Sequence, residues 1–394
     1  MSKVNKVTKT LFLAFFIISA LFFYTPDVSA QGEFVAGELI IKLKEGVNTL
    51  GLRSGMAQKG MPIVESIPEL GFHVIQIPPE ELEDMQRSLS RDPDFEYVEK
   101  NYIVHANVIP NDQFFNFQTY LNVINAPMAW DSEIGDPNTV IAVLDSGVDA
   151  THEDLSGKVL QGCSTLGNFS ETSCGANTNN IAGHGSGVSG TATAITNNFD
   201  GVAGVCWNCS ILPVKVLDDT GSGTSVDIVQ GILFAKNYAL NNPTKKVIIN
   251  MSFGRDCNGS GISQFEQDAI NLAWNSGLLV IAAAGNEGNS NVHCPASAAN
   301  TIAVSATDDN DNLANFSSFG NFVDLAAPGV SIANVFPGDN YVFWSGTSFS
   351  SPIVAGLVWS ANTALTNAEV DQILRDTADN IGSSFFFGDG RVNA

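Results

Sequence analysis

Three residue types with complementary chemistry stand in one order along the chain. Gly346-Thr347-Ser348-Phe349-Ser350-Ser351-Pro352-Ile353-Val354-Ala355-Gly356 opens with a small turn and continues as a run suited to a buried helix. Ser348 is therefore expected at a helix N-terminus, with Pro352 in the first helical turn, where a missing N–H costs nothing. Free backbone N–H groups and the positive end of the helix dipole favour a developing oxyanion there. Upstream, Val140-Ile141-Ala142-Val143-Leu144 is a five-residue apolar run ending on Asp145 and a Gly turn. It reads as a strand buried on both faces with a carboxylate at its carboxyl end, the edge of an open α/β sheet where ligands bind. Between them lies Gly183-His184-Gly185-Ser186-Gly187, a histidine that another segment can approach closely. Taken singly, these are a cap serine, a loop histidine and a turn aspartate. Taken together, they form a set in which a carboxylate orients an imidazole that deprotonates a serine.

These segments resemble the signatures of the subtilisin-like serine proteases, and the resemblance spans roughly residues 38–394. It implies catalytic roles for Asp145, His184 and Ser348. A fourth segment, Ile281-Ala282-Ala283-Ala284-Gly285-Asn286-Glu287-Gly288, resembles the family's strand leading to its oxyanion-hole asparagine. That implies the role for Asn286, shared with the Ser348 backbone N–H. The chain departs from the family pattern at Ser186, Gly187, Phe349, Ser350 and Ile353, none of which carries a proton transfer.

The elements that must position these residues follow. The implied fold is α/β: a three-layer catalytic domain with a mostly parallel central sheet, preceded by a small α+β prodomain. Apolar strands alternate with helical runs over 210–217, 226–238, 247–251, 265–275, 278–284 and 301–306, which suits a parallel sheet with helices on both faces. The domains are expected at 1–30, 31–106 and 107–394. The first is a signal peptide, with Lys3, Lys6 and Lys9, an apolar run over 11–23 and the small-residue site Val28-Ser29-Ala30. The second shows strands at 38–43, 72–77 and 95–99 and a helix at 79–87. It resembles a subtilase prodomain, which assists folding and inhibits the enzyme, and self-cleavage is expected near Ala106.

Backbone pairing with an extended substrate is expected at two edges, Ser252-Phe253-Gly254 and Gly221-Ser222-Gly223, with Ala283-Ala284-Gly285 beside them. A structural calcium is expected from Asp112, Asp154, Asn198 and Asp200, an oxygen-rich set resembling a strong site of the thermitase branch. The stretch 307–312 reads as a solvated polar turn.

The net charge of −23 disfavours nucleic acid as a partner. The expected partners are protein and peptide substrates and the chain's own prodomain. A secreted, extracellular monomer is expected, with no membrane association after signal cleavage. All six cysteines fall in the catalytic domain, and an even count in an exported chain implies disulfides. Fifteen pairings are possible for six cysteines. We pair Cys163 with Cys174 and Cys206 with Cys209 as local links. Cys257 is paired with Cys294 because both border the region that resembles the family's substrate pocket.

Overall fold

Seven consecutive residues, Thr139–Asp145, are buried to the last one, as a strand covered on both faces requires. In the computed structural model, which describes residues 34–47, 51–104, 108–167, 178–179, 182–358 and 365–394, this strand runs through a seven-stranded sheet. The order is Leu325–Pro328, Ile302–Thr307, Leu279–Ala283, Lys246–Met251, Thr139–Asp145, Ser210–Lys215 and Cys163–Ser164. Every pairing in it is parallel.

The period-two alternation of each strand divides its residues between two cores. Ile141 and Val143 join one cluster with Val188 and Ala192 of helix His184–Thr193 and Ile353 and Val354 of helix Thr347–Leu357. Val140, Ala142 and Leu144 join the other with Ile228 and Ile232 of helix Ser225–Asn241 and Ile270 of helix Gln264–Asn275. Helix, sheet and helix thus make three layers, and the α/β class expected from the alternation is the one found. Among the described residues no helix is long and apolar enough to cross a membrane.

The chain divides into two compact units, Met1–His105 and Ala106–Ala394. The first holds an antiparallel sheet in the order Ile63–Ile67, Phe72–Gln76, Phe34–Leu43, Phe95–Tyr102. Leu39, Ile41, Ile75, Leu82 and Leu89 fill its core. The expected helix at 79–87 starts as a 3-10 turn, Pro79–Glu81, and continues as Leu82–Leu89. Two elements of this unit have no counterpart in the sequence reading, helix Leu52–Gln58 and strand Ile63–Ile67. The expected leader at 1–30, the junction at 106–107 and Cys174 lie outside the described residues.

Pro352 departs from its expected position. It falls in the second turn of helix Thr347–Leu357, not the first. A residue there would normally donate its N–H to the carbonyl four residues back, that of Ser348. The Ser252 hydroxyl donates to that carbonyl instead, at 2.8 Å, so the proline leaves no acceptor orphaned.

Candidate active site

Asp145 ends the strand Thr139–Asp145 with no exposed surface. Ser146 fixes its carboxylate, donating to Oδ1 from the backbone N–H at 2.6 Å and from Oγ at 3.1 Å. His184 is the first residue of its helix and brings Nδ1 to 2.9 Å from Oδ1 and 3.0 Å from Oδ2 of Asp145. This contact needs the glycine that follows the histidine. A Cβ on Gly185 would collide with the carbonyl of Gly147 and sit 3.1 Å from Asp145 Oδ1. Burial pushes the His184 imidazole down, but the charge of Asp145 and its hydrogen bond outweigh that and leave its pKa raised. With Nδ1 committed to the carboxylate, Nε2 is the nitrogen left for proton transfer.

Ser348 is the second residue of helix Thr347–Leu357 and is almost wholly buried. Its neighbour Phe349 lies with ring centroid 5.8 Å from that of His184, and Trp344 lies at 6.3 Å. The Ser348 hydroxyl donates to the carbonyl of Ser252 at 3.0 Å. A serine has one proton to donate, so its hydroxyl must give up this bond before it can donate to the imidazole.

Asn286 follows the strand Leu279–Ala283, and its Oδ1 accepts from the backbone N–H and the hydroxyl of Thr347. Ser252, Phe253 and Gly254 follow the strand Lys246–Met251. Asn250 Nδ2 donates to Ser252 Oγ at 2.9 Å, which keeps that hydroxyl turned toward Ser348. On the other edge, Asp218 Oδ1 accepts from Thr220 N and Ser222 N at 2.9 and 3.0 Å and shapes the loop carrying Gly221, Ser222 and Gly223. Thr224 caps the next helix by exchanging bonds with Asp227. Strand Leu279–Ala283 continues into Ala284 and Gly285.

The oxygen-rich set gathers around the loop at 195–201. Asp112 accepts from Asn197 N at 2.8 Å, Asn198 Nδ2 donates to Asp154 Oδ1 at 3.0 Å, and Val202 N donates to Asp154 Oδ2 at 2.8 Å. Burial raises the pKa of both carboxyls, that of Asp154 to about 6. A nearby ammonium, Lys158, is itself pushed down to about 7 by burial. Two buried carboxylates are thus left without strong cationic compensation, and a divalent cation would supply it. Gly201 passes so close to Asp154 Oδ2 that any Cβ there would collide. Asp200 lies on the exposed side of the set: its N–H donates to Asn198 Oδ1, and its charge adds to the rise of the Asp112 pKa. Among the described residues no three His, Cys, Asp or Glu side chains cluster around one point. Two carboxylates completed by amide and carbonyl oxygens fit calcium better than a thiolate- or imidazole-seeking metal.

Cys206 is joined to Cys209, and Cys257 to Cys294. The second bond links the short antiparallel strands Arg255–Asp256 and His293–Cys294 beside Gly254. The expected Cys163–Cys174 bond lies outside the described residues through Cys174.

Three contributors, Ser146, Thr347 and the Ser252 hydroxyl, are not legible in the sequence. Small hydroxyl residues next to a site carry no periodic signal, and only their contacts reveal their work.

The chain is similar to known proteins over most of its length. The subtilase family model matches residues 136–390, and the fervidolysin N-terminal prodomain model matches residues 25–101. The chain is 38% identical over 369 residues to the thermophilic serine proteinase of Bacillus sp. (strain AK1), covering 92% of this chain and 88% of that protein. It is 40% identical over 288 residues to thermitase of Thermoactinomyces vulgaris, covering 72% of this chain and 97% of thermitase. Among solved structures, sphericase superposes with a TM-score of 0.60 at 30% identity, over 66% of this chain and 92% of sphericase.

Proposed function

The chain belongs to the subtilase family and is a serine-type endopeptidase with an N-terminal prodomain, and from that premise we propose that Asp145, His184 and Ser348 are its catalytic triad. The observation that carries this reading is the His184–Asp145 contact, with Nδ1 within 3.0 Å of both carboxylate oxygens and Ser348 on the helix packed against that of His184. Ser348 Oγ attacks the scissile carbonyl while His184 Nε2 takes its proton. Asp145 holds the tautomer and balances the imidazolium. Asn286 Nδ2 and the Ser348 N–H bind the oxyanion. His184 then returns the proton to the leaving amine. An acyl-enzyme remains on Ser348, and water hydrolyses it by the same steps in reverse.

Substrate lies as an added strand between Gly221-Ser222-Gly223 and Ser252-Phe253-Gly254, with Ala283-Ala284-Gly285 alongside. Backbone pairing of this kind reads no sequence and suits a broad range of proteins. Asp112, Asp154 and Asn198 would hold calcium, which supplies structural charge compensation and takes no part in the chemistry. Residues 1–30 direct secretion, and residues 31–106 form the prodomain, removed by the enzyme itself near Ala106.

A fluorophosphonate probe tests the assignment. The processed protein is expected to be labelled on Ser348; an unlabelled processed protein would defeat it. Ser348→Ala, expressed without other proteases, is expected to accumulate as unprocessed residues 31–394. Self-cleavage of that pure variant would overturn autocatalytic maturation.

A further inference from the structure

His293 has no assigned task, yet it stands between two segments proposed to hold substrate. It lies on the short strand His293–Cys294, paired with Arg255–Asp256 and tied by the Cys257–Cys294 bond. Its side chain is 6% exposed. Nδ1 is buried with no hydrogen-bond partner, and Nε2 is 3.7 Å from Glu287 Oε1, beyond hydrogen-bond reach. A buried polar atom left unpaired is uncommon and asks for a reason.

The ring's neighbours supply one. A Cβ on Gly254 would come within 2.6 Å of His293 Nδ1, and a Cβ on Gly285 within 2.7 Å of His293 Cδ2. The imidazole therefore touches Gly254 with one edge and Gly285 with the other. Both glycines belong to backbone segments that lead to Ser348 and Asn286. The substrate residue whose carbonyl is attacked must send its side chain between these segments. The floor of that gap is already occupied by the imidazole, and the disulfide at the next residue holds the floor in place. The rim carries the Glu287 carboxylate, which Ser318 Oγ holds at 2.8 Å.

We propose that His293 is the specificity-determining floor of the acyl-side pocket and limits the attacked residue to small side chains: glycine, alanine or serine. The proposal rests on the triad reading above. A full-length aromatic side chain would need the space that the ring fills, and close-packed interiors do not yield such space freely.

The test uses the mature enzyme and internally quenched peptides that differ only at the attacked residue: Ala, Ser, Leu, Phe or Lys. Alanine and serine peptides are expected to exceed the Phe and Lys peptides in kcat/KM by roughly tenfold or more, the scale of discrimination a pocket achieves by shape. His293→Gly is expected to raise the Phe-to-Ala ratio by roughly tenfold, and added imidazole to lower it again. His293→Phe, which keeps the bulk, retains the preference for small residues and decides the matter if the glycine variant does not fold. Equal turnover of Phe and Ala peptides by the parent enzyme overturns the proposal, as does a preference for Lys, which would make Glu287 the determinant. No turnover of any peptide, with no fluorophosphonate labelling, would overturn the triad reading and this one together; turnover with a flat profile overturns this one alone.

Discussion

Thr347 grips Oδ1 of Asn286 twice, through its backbone N–H at 2.9 Å and its hydroxyl at 3.0 Å. An amide so held by its oxygen must present its NH2 on the opposite side. Thr347 is in turn located by Gly285 N, which donates to Thr347 Oγ1 at 3.2 Å. The residue before the proposed nucleophile thus aims the amide proposed as oxyanion donor.

This arrangement predicts a graded pair of effects. Asn286→Ala is expected to lower kcat by about 10²–10³ with little change in KM, the loss that subtilisin shows when its own oxyanion-hole asparagine is removed. Thr347→Val keeps the N–H bond but loses both hydroxyl bonds, to Asn286 and from Gly285; the one that aims the amide, worth about 1 kcal/mol, implies a loss of roughly fivefold in kcat. Thr347→Ser restores the hydroxyl and the rate. Steady-state kinetics on one peptide series decides it, and a Thr347→Val enzyme as fast as the parent would remove Thr347 from the role.

The pH profile follows from His184. The imidazole must be neutral to accept a proton, and the pKa of His184 is raised because Asp145 outweighs burial. The acid limb of kcat/KM is therefore expected above the usual value of about 6.5 for histidine. Asp145→Asn leaves burial acting alone, so the limb moves to lower pH while the rate falls by about 10⁴, the scale measured for this change in serine proteases. Stability carries the opposite sign. A histidine with a raised folded pKa contributes stability in full below its unfolded value, and that stability is lost as pH rises through the folded value. Thermal melts of Ser348→Ala across this window, compared with Ser348→Ala/His184→Gln, separate that contribution from the rest.

The strand-and-helix framework is legible in the sequence because apolar periodicity is imposed by the two cores. Val140 to Leu144 must satisfy both at once and so admits no polar residue. The N-terminal unit is less fully legible. Strand Ile63–Ile67 is an edge strand with only Ile63 buried, and helix Leu52–Gln58 starts from Gly51 without a side-chain cap. Neither carries the signal that burial or capping writes into a sequence. Helix propensity alone misplaces Pro352, because a hydroxyl distant in sequence, that of Ser252, takes over the vacated carbonyl. His293 gives no sign in the sequence because the pocket it fills exists only after residues 252–254, 283–285 and 293–294 come together.

Calcium is expected to stabilise the native state by linkage, by about 2.7 kcal/mol at a hundredfold excess over its dissociation constant. Chelation should lower Tm and speed self-digestion. Asp154→Ala should lower Tm by itself and abolish the chelator response, because Asp154 is fully buried at the centre of the set. Asp200→Asn should weaken the response less than Asp154→Ala, because the Asp200 side chain is exposed, although its charge reaches Asp112. Differential scanning calorimetry of Ser348→Ala, with and without chelator, measures this free of autolysis. A chelator response that vanishes with Asp200→Asn but survives Asp154→Ala would refute the assignment.

The two described disulfides should differ in worth, and loop length says by how much. Cys257 and Cys294 are 37 residues apart, whereas Cys206 and Cys209 are 3 apart. In the chain-entropy account the first constrains the unfolded state by about 4 kcal/mol and the second by about 2 kcal/mol. Replacing Cys257 and Cys294 together by Ser is thus expected to lower Tm about twice as far as replacing Cys206 and Cys209. The long bond also carries a local duty. It anchors the strand that holds His293 against Gly254 and Gly285, so its loss should let the pocket floor move. KM for short peptides should then rise and the preference for small attacked residues should weaken, while fluorophosphonate labelling of Ser348 persists because no residue of the triad depends on that strand. The Cys206–Cys209 variant should show the smaller Tm shift with an unaltered peptide profile, since that bond lies in the core around Trp130 and Trp207. Calorimetry on Ser348→Ala backgrounds gives the first half of the comparison and peptide kinetics on active enzyme the second. If the short bond proves the more stabilising, loop closure is not what these bonds contribute. If the long one can be removed with the peptide profile intact, the pocket floor is held by its packing between the two glycines and not by sulfur.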